Sequence, residues 1–132
     1  MTLESLVRLI REISTAGGVS PTAASVLARL GREGPTQVSE LARATGVSQP
    51  AMTQLVTRME RDALVARTAA EDDRRVVLVG LAERGKQVLD ERRAERAGVL
   101  DALLDELEAD DQAAIAAALP ALERLVDASA SH

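Results

Sequence analysis

The chain has 132 residues, 46% of them hydrophobic and 28% charged, with a formal net charge of −5, a size that suits one domain with its own core. It contains no Cys, Phe, Tyr or Trp and a single His, His132, which excludes disulfides, thiolate nucleophiles, thiol redox sensing and aromatic base stacking, and leaves zinc without its preferred nitrogen and sulfur ligands. No apolar run approaches the about 18 residues that cross a bilayer, and the opening Met-Thr-Leu-Glu-Ser-Leu carries acid early and lacks a basic start, so no membrane span and no signal peptide are expected and the expected location is cytoplasmic.

Leu3, Leu6, Val7, Ile10 and Ile13 recur at helical spacing, which predicts an amphipathic helix over residues 2–15 closed by Gly17 and Gly18. Ser20 followed by Pro21 reads as a cap and first helical residue, and a second helix runs through Val26, Leu27 and Leu30 to residues 31–34. Pro35 and Thr36 open a third helix, with Thr36 as its cap and Val38, Leu41 and Ala42 facing inward, and Gly46 closes it. Ser48 caps a fourth helix whose inner face is Met52, Leu55, Val56 and Met59; at this spacing the two methionines are core.

The period then changes. Residues 63–68 and 76–81 are apolar or β-branched and flank the polar stretch 69–75, a β-hairpin placed as a wing. Residues 82–108 return to helix, with Val88, Leu89, Val99, Leu100, Leu103, Leu104 and Leu107 as an expected buried stripe. Asp110 and Asp111 begin a last helix carrying Ile115, Leu119, Leu122, Leu125 and Val126, and Pro120 should kink or split it.

The net charge argues at first against a nucleic-acid partner, but its distribution matters more than its sum. Residues 21–80 hold 8 Arg against 7 Asp and Glu, and most of the acid lies in the C-terminal third. The outward side of the fourth helix carries Gln49, Pro50, Thr53, Gln54, Thr57, Arg58 and Arg61, where an ordinary solvated face would more often carry Glu and Lys. Two helices of a generic bundle are the plain reading of residues 36–62; the polar face favours a helix-turn-helix that reads DNA. Gln49 and Gln54 can pair with adenine, and Arg58 can reach guanine or a phosphate. Pro50 and Ala51 are small enough to let the helix approach bases and touch a thymine methyl, and the backbone at Ser48 favours a phosphate. Thr36, Gln37 and Ser39 are candidates for backbone contacts. By composition alone, Asp73-Arg74-Arg75 is a charged hairpin tip. The apolar helices at both chain ends are more than a small winged domain can cover, which favours a homodimer over a single intramolecular core. Acid pairs near 71–73 and 105–111 lack an accompanying nucleophile or His, so no enzyme is expected.

Three stretches carry a resemblance: Val38-Ser-Glu-Leu-Ala-Arg-Ala-Thr-Gly-Val-Ser-Gln-Pro-Ala-Met-Thr-Gln-Leu-Val, Arg58-Met-Glu-Arg-Asp-Ala-Leu-Val-Ala-Arg, and Asp73-Arg-Arg followed by Leu81 and Gly85. In this order, with helices at both ends, the chain resembles the MarR family of bacterial winged helix-turn-helix regulators over almost its whole length. The resemblance implies a mainly α fold with a small β-wing, organised as one domain: a winged DNA-binding part over residues 20–81 and helical dimerisation parts over 1–16 and 82–128. It implies that Arg75, with Arg74 beside it, enters or flanks the minor groove, that Asp73 braces the wing by pairing with an Arg, and that Arg67 contacts a phosphate. It further implies a homodimeric repressor on a pseudo-palindromic double-stranded operator, released by a small apolar effector, with no cofactor and no membrane partner. The chain departs from the family's pattern at Ala82, where a capping Thr is usual, in its short first helix, and in lacking the aromatics that often line the effector pocket. An acidic helical interaction protein of the same fold that has lost DNA binding is the alternative.

Overall fold

The structure, a computed structural model, describes residues 3–14 and 18–130. Gly17, the first of the two glycines expected to close the first helix, the expected helical positions 2 and 15, and His132 lie outside the described residues. The elements run α1 (Leu3–Ser14), α2 (Pro21–Glu33), α3 (Val38–Thr45), α4 (Gln49–Arg61), β1 (Val65–Ala69), β2 (Val77–Leu81), α5 (Glu83–Asp105) and α6 (Ala109–Ala130). This is the mainly helical fold with one small antiparallel sheet that the periodicities imply. The chain forms two compact units, Met1–Glu95 and Arg96–His132, with the division inside α5.

In the first unit, local chemistry sets the helix ends. Ser20 Oγ accepts the Ala23 N–H at 3.2 Å and Pro21 takes the first helical position of α2. Gly46 closes α3 in the left-handed region (φ 69°), where a side chain would be strained. Ser48 Oγ accepts the Ala51 N–H at 3.3 Å and starts α4. The apolar faces of these helices converge. Val26, Leu27, Leu41, Met52, Val56, Val65 and Val79 are fully buried, and Leu89 of α5 joins the same core.

The third helix begins differently from the sequence reading. It starts at Val38 with Gln37 at its N-cap, and Gln37 makes no side-chain capping bond. Thr36 is not the cap but the partner of Val79 in an isolated β-bridge outside the two strands. Its N–H donates to the Val79 carbonyl at 2.9 Å and its carbonyl accepts from the Val79 N–H at 2.8 Å. Its hydroxyl donates to the Gly34 carbonyl at 2.9 Å, and the residue is buried. Pairing with β2 satisfies backbone groups that a helix start would leave open, so the sheet takes Thr36.

The hairpin pairs Val65 with Leu81, Arg67 with Val79 and Ala69 with Val77, starting one or two residues later than the hydrophobic runs suggest. Ala82 holds the place of the usual capping Thr. Its N–H donates to the Leu64 carbonyl at 3.0 Å. A Cβ on Gly85 would overlap that same carbonyl, so the glycine lets α5 cross the exit of the wing at close range.

The second unit holds the end of α5, a turn and α6. Gln112 Nε2 donates to the Leu104 and Leu107 carbonyls at 2.8 and 3.0 Å, which closes the turn between the helices. The stripe expected to be buried along residues 82–108 is buried only at Leu89 within one chain: Val99, Leu100, Leu103 and Leu107 are exposed. Ile115, Leu119, Leu122, Leu125 and Val126 of α6 are exposed as well. Helical periodicity marks a face and does not say whether the same chain covers it. Pro120 does not split α6, which runs 22 residues with the proline inside. One missing N–H and a local clash are tolerated in a helix this long, flanked by strong helix formers.

Candidate nucleic-acid interface

Helix α4 presents two faces set by its spacing. Met52, Leu55, Val56 and Met59 are buried against α2 and α3 residues of the core. Gln49, Pro50, Ala51, Thr53, Gln54, Thr57, Arg58 and Arg61 are all exposed. Ser48 is exposed at the N-terminus, the positive end of the helix dipole, where Pro50 carries no N–H and the Ala51 N–H is already taken by Ser48 Oγ. Gln37 and Ser39, at the start of α3, are exposed and half-buried. Thr36 is the exception among the candidate residues, since its buried hydroxyl already serves the Gly34 carbonyl and is not available to a phosphate.

The two threonines of this face use their hydroxyl protons inside the helix. Thr53 Oγ1 donates to the Gln49 carbonyl and Thr57 Oγ1 to the Thr53 carbonyl, each at 2.9 Å. Arg67 reaches across from β1. Its Nη1 donates to Glu60 Oε1 at 2.7 Å, its backbone N–H to Glu60 Oε2 at 3.2 Å, and its Nη2 to Thr57 Oγ1 at 3.2 Å. Arg67, expected as a phosphate contact, is tied to the helix it neighbours. Glu60 was not singled out in the sequence. The available signal was an acid amid the Gln, Thr and Arg of an otherwise acid-free polar face, and its partner lies seven residues on, in a different element.

At the wing tip, Asp73 does pair with an arginine, and that arginine is Arg75. The Arg75 backbone N–H and Nε donate to Asp73 Oδ1 at 3.0 and 3.1 Å, and Nη2 donates to Oδ2 at 3.3 Å. The Arg75 side chain remains 91% exposed despite the pairing, so the brace holds the guanidinium in place without covering it. The Arg75 side chain first, and its backbone N–H second, hold the Asp73 carboxyl below its ordinary value of 3.8. Arg74 is exposed beside them. Helix α4 and the wing tip thus offer polar and cationic groups; Glu60 and Asp73 are held by arginines, while Glu71 and Asp72 beside them at the tip are exposed.

Comparison with known proteins agrees with this architecture. Residues 17–76 match the model of the MarR family. The HTH-type transcriptional repressor MdtR of Bacillus subtilis is 38% identical over 93 residues, which cover 67% of this chain and 60% of the repressor's own length. Among solved structures, the YusO protein from Bacillus subtilis is 30% identical with a TM-score of 0.72, covering 92% of this chain and 89% of that one. A MarR family protein from Bacillus stearothermophilus is 29% identical with a TM-score of 0.73, covering 95% and 93%. With the capped α3–α4 pair, the paired hairpin and the helices on either side in the same order as these relatives, the chain belongs to the MarR family.

Proposed function

We propose that the protein is a sequence-specific transcriptional regulator that binds double-stranded DNA, with α4 in the major groove and the wing tip at the minor groove. The observation that carries this is the face of α4: eight exposed residues from Gln49 to Arg61 that are polar, cationic or small, whose one neighbouring acid, Glu60, is paired with Arg67, on a helix set by Ser48 and by its buried opposite side. Gln49, Gln54, Arg58 and Arg61 supply base-edge and phosphate partners, Pro50 and Ala51 allow close approach, and Ser48, Gln37 and Ser39 serve the backbone. Arg75 and Arg74 serve the minor groove, where cationic side chains meet the strongest negative potential of A·T-rich DNA.

The reading includes a homodimer. In the second unit, Val99, Leu103, Ile115, Leu119, Leu122 and Leu125 are between 38% and 64% exposed in one chain, and burying such surface against a second copy is the main driving force for association. A two-fold pair on a pseudo-palindromic operator needs its two α4 helices about 34 Å apart, one turn of DNA. Repression released by a small apolar effector completes the proposal; it is supported by the family and by the repressor named above.

The test is selection of duplexes from a randomised pool, followed by binding measured against salt. A DNA reader enriches a half-site motif and loses affinity steeply as salt rises. The alternative, an acidic interaction protein that no longer binds DNA, is favoured by the net charge of −5 and enriches no duplex. Release is tested by titrating small apolar compounds into the protein–DNA complex. Failure of every compound to change either DNA affinity or melting temperature removes the effector from the proposal.

A further inference from the structure

Thr53 and Thr57 stand one turn apart on the exposed face of α4, and they are not equivalent. A threonine hydroxyl has one proton and two lone pairs. Both protons are used within the helix, on the carbonyls of Gln49 and Thr53. The Thr57 oxygen also accepts Arg67 Nη2 at 3.2 Å. Arg67 is held in that position by Glu60, which takes its Nη1 at 2.7 Å and its backbone N–H at 3.2 Å. Thr57 can therefore donate nothing to a base, and its oxygen is already serving a cation. Besides one remaining lone pair on that oxygen, what the exposed side chain offers is its γ-methyl, its only apolar group.

We infer that Thr57 is a specificity-determining residue that reads DNA through this methyl, packed against the C5-methyl of a thymine, while its hydroxyl serves the protein. The thymine methyl is the apolar feature of the major-groove edge and a threonine methyl is among the groups that recognise it. Glu60 and Arg67 are positioning residues. With the hydroxyl bonded on two sides, χ1 of this β-branched side chain is fixed, and the methyl is delivered in one orientation. The inference rests on the DNA-reading function proposed above and names a base feature for one residue of that site.

The experiment uses the full chain and a duplex enriched from a random pool by the wild-type protein. Each thymine is replaced in turn by deoxyuridine, which removes the methyl and leaves the hydrogen-bonding edge intact. Binding is measured for the wild type, Thr57→Val, which keeps a methyl and loses the hydroxyl, and Thr57→Ser, which does the reverse. At one or more thymines, replacement weakens the wild type and Thr57→Val about fourfold, the expectation for one buried methyl, and Thr57→Ser is insensitive there. Glu60→Ala, folded by circular dichroism, shows a smaller deoxyuridine penalty than the wild type. The inference is overturned if no deoxyuridine matters to the wild type, if Thr57→Val loses the penalty, or if Thr57→Ser keeps it; in those cases DNA reading itself still stands. Failure to enrich any duplex overturns the functional reading and this inference with it.

Discussion

Glu60, in the last turn of α4, grips Arg67, in the middle of β1, at both ends of the carboxylate: Oε1 takes the guanidinium at 2.7 Å and Oε2 takes the backbone N–H at 3.2 Å. The pair couples α4 to the wing. Both side chains are partly exposed, 40% and 29%, so solvent screens the charge interaction and its contribution to stability is about 1 kcal/mol or less. Its importance lies in geometry, because it ties the last turn of α4 to the middle of β1.

Replacing Glu60 by Ala is accordingly expected to change recognition more than folding. It removes an acid beside the surface proposed to meet DNA and frees Arg67. Affinity for random duplex rises, and the ratio of affinities for the selected and random duplexes falls. Fluorescence anisotropy on both duplexes, with a denaturant melt alongside, measures the two effects. An unchanged ratio would show that the tie has no part in recognition.

The wing tip yields a prediction in pH. The Asp73 carboxyl is held below 3.8 by Arg75, a depressed acid. Its stabilising interaction is fully present above the ordinary value, weakens as pH falls past it, and is lost once pH passes the lowered folded value. The wing brace therefore stays intact across neutral and mildly acidic pH. A carboxyl NMR titration should place the Asp73 midpoint below 3.8, and Arg75→Ala should return it toward that value. The same substitution weakens DNA binding with little effect on the melting temperature, because the side chain is 91% exposed.

Gln54 is exposed on the polar face of α4. If it pairs with adenine, Gln54→Ala reduces discrimination at one base position by about 1–3 kcal/mol and leaves binding to random duplex nearly unchanged. Repeating the duplex selection with the variant checks this; an unaltered motif assigns base reading to other residues of the face.

Two glycines of α5 should respond in opposite directions. A Cβ on Gly85 overlaps the Leu64 carbonyl, whereas Gly98 has open space around it. Gly85→Ala is expected to destabilise by about 1–3 kcal/mol, the usual cost of overpacking. Gly98→Ala is expected to stabilise by about 0.5–1 kcal/mol, because alanine restricts the unfolded chain and favours helix. Urea melts of the two variants separate close packing from helix propensity.

Much of this architecture is written locally. Ser20, Ser48 and Gly46 mark helix ends through bonds to residues within a few positions, and the four-residue rhythm of Met52, Leu55, Val56 and Met59 sorts α4 into an inner and an outer face. Such signals act over one or two turns, so they can be read before anything is known of the fold. The partnerships that cross between elements cannot. Thr36 has the chemistry of a cap and instead forms a β-bridge because Val79 arrives beside it. Arg67 looks like a free cation until the hairpin brings it onto Glu60 and Thr57. Gly85 acquires its purpose from the carbonyl of Leu64 beneath it. The leucine and valine stripes of residues 99–126 announce a buried face, yet a single chain leaves them in solvent. Which surfaces meet depends on how whole elements pack, and a hydrogen bond or an overlap between them exists only once the intervening chain has been folded into place.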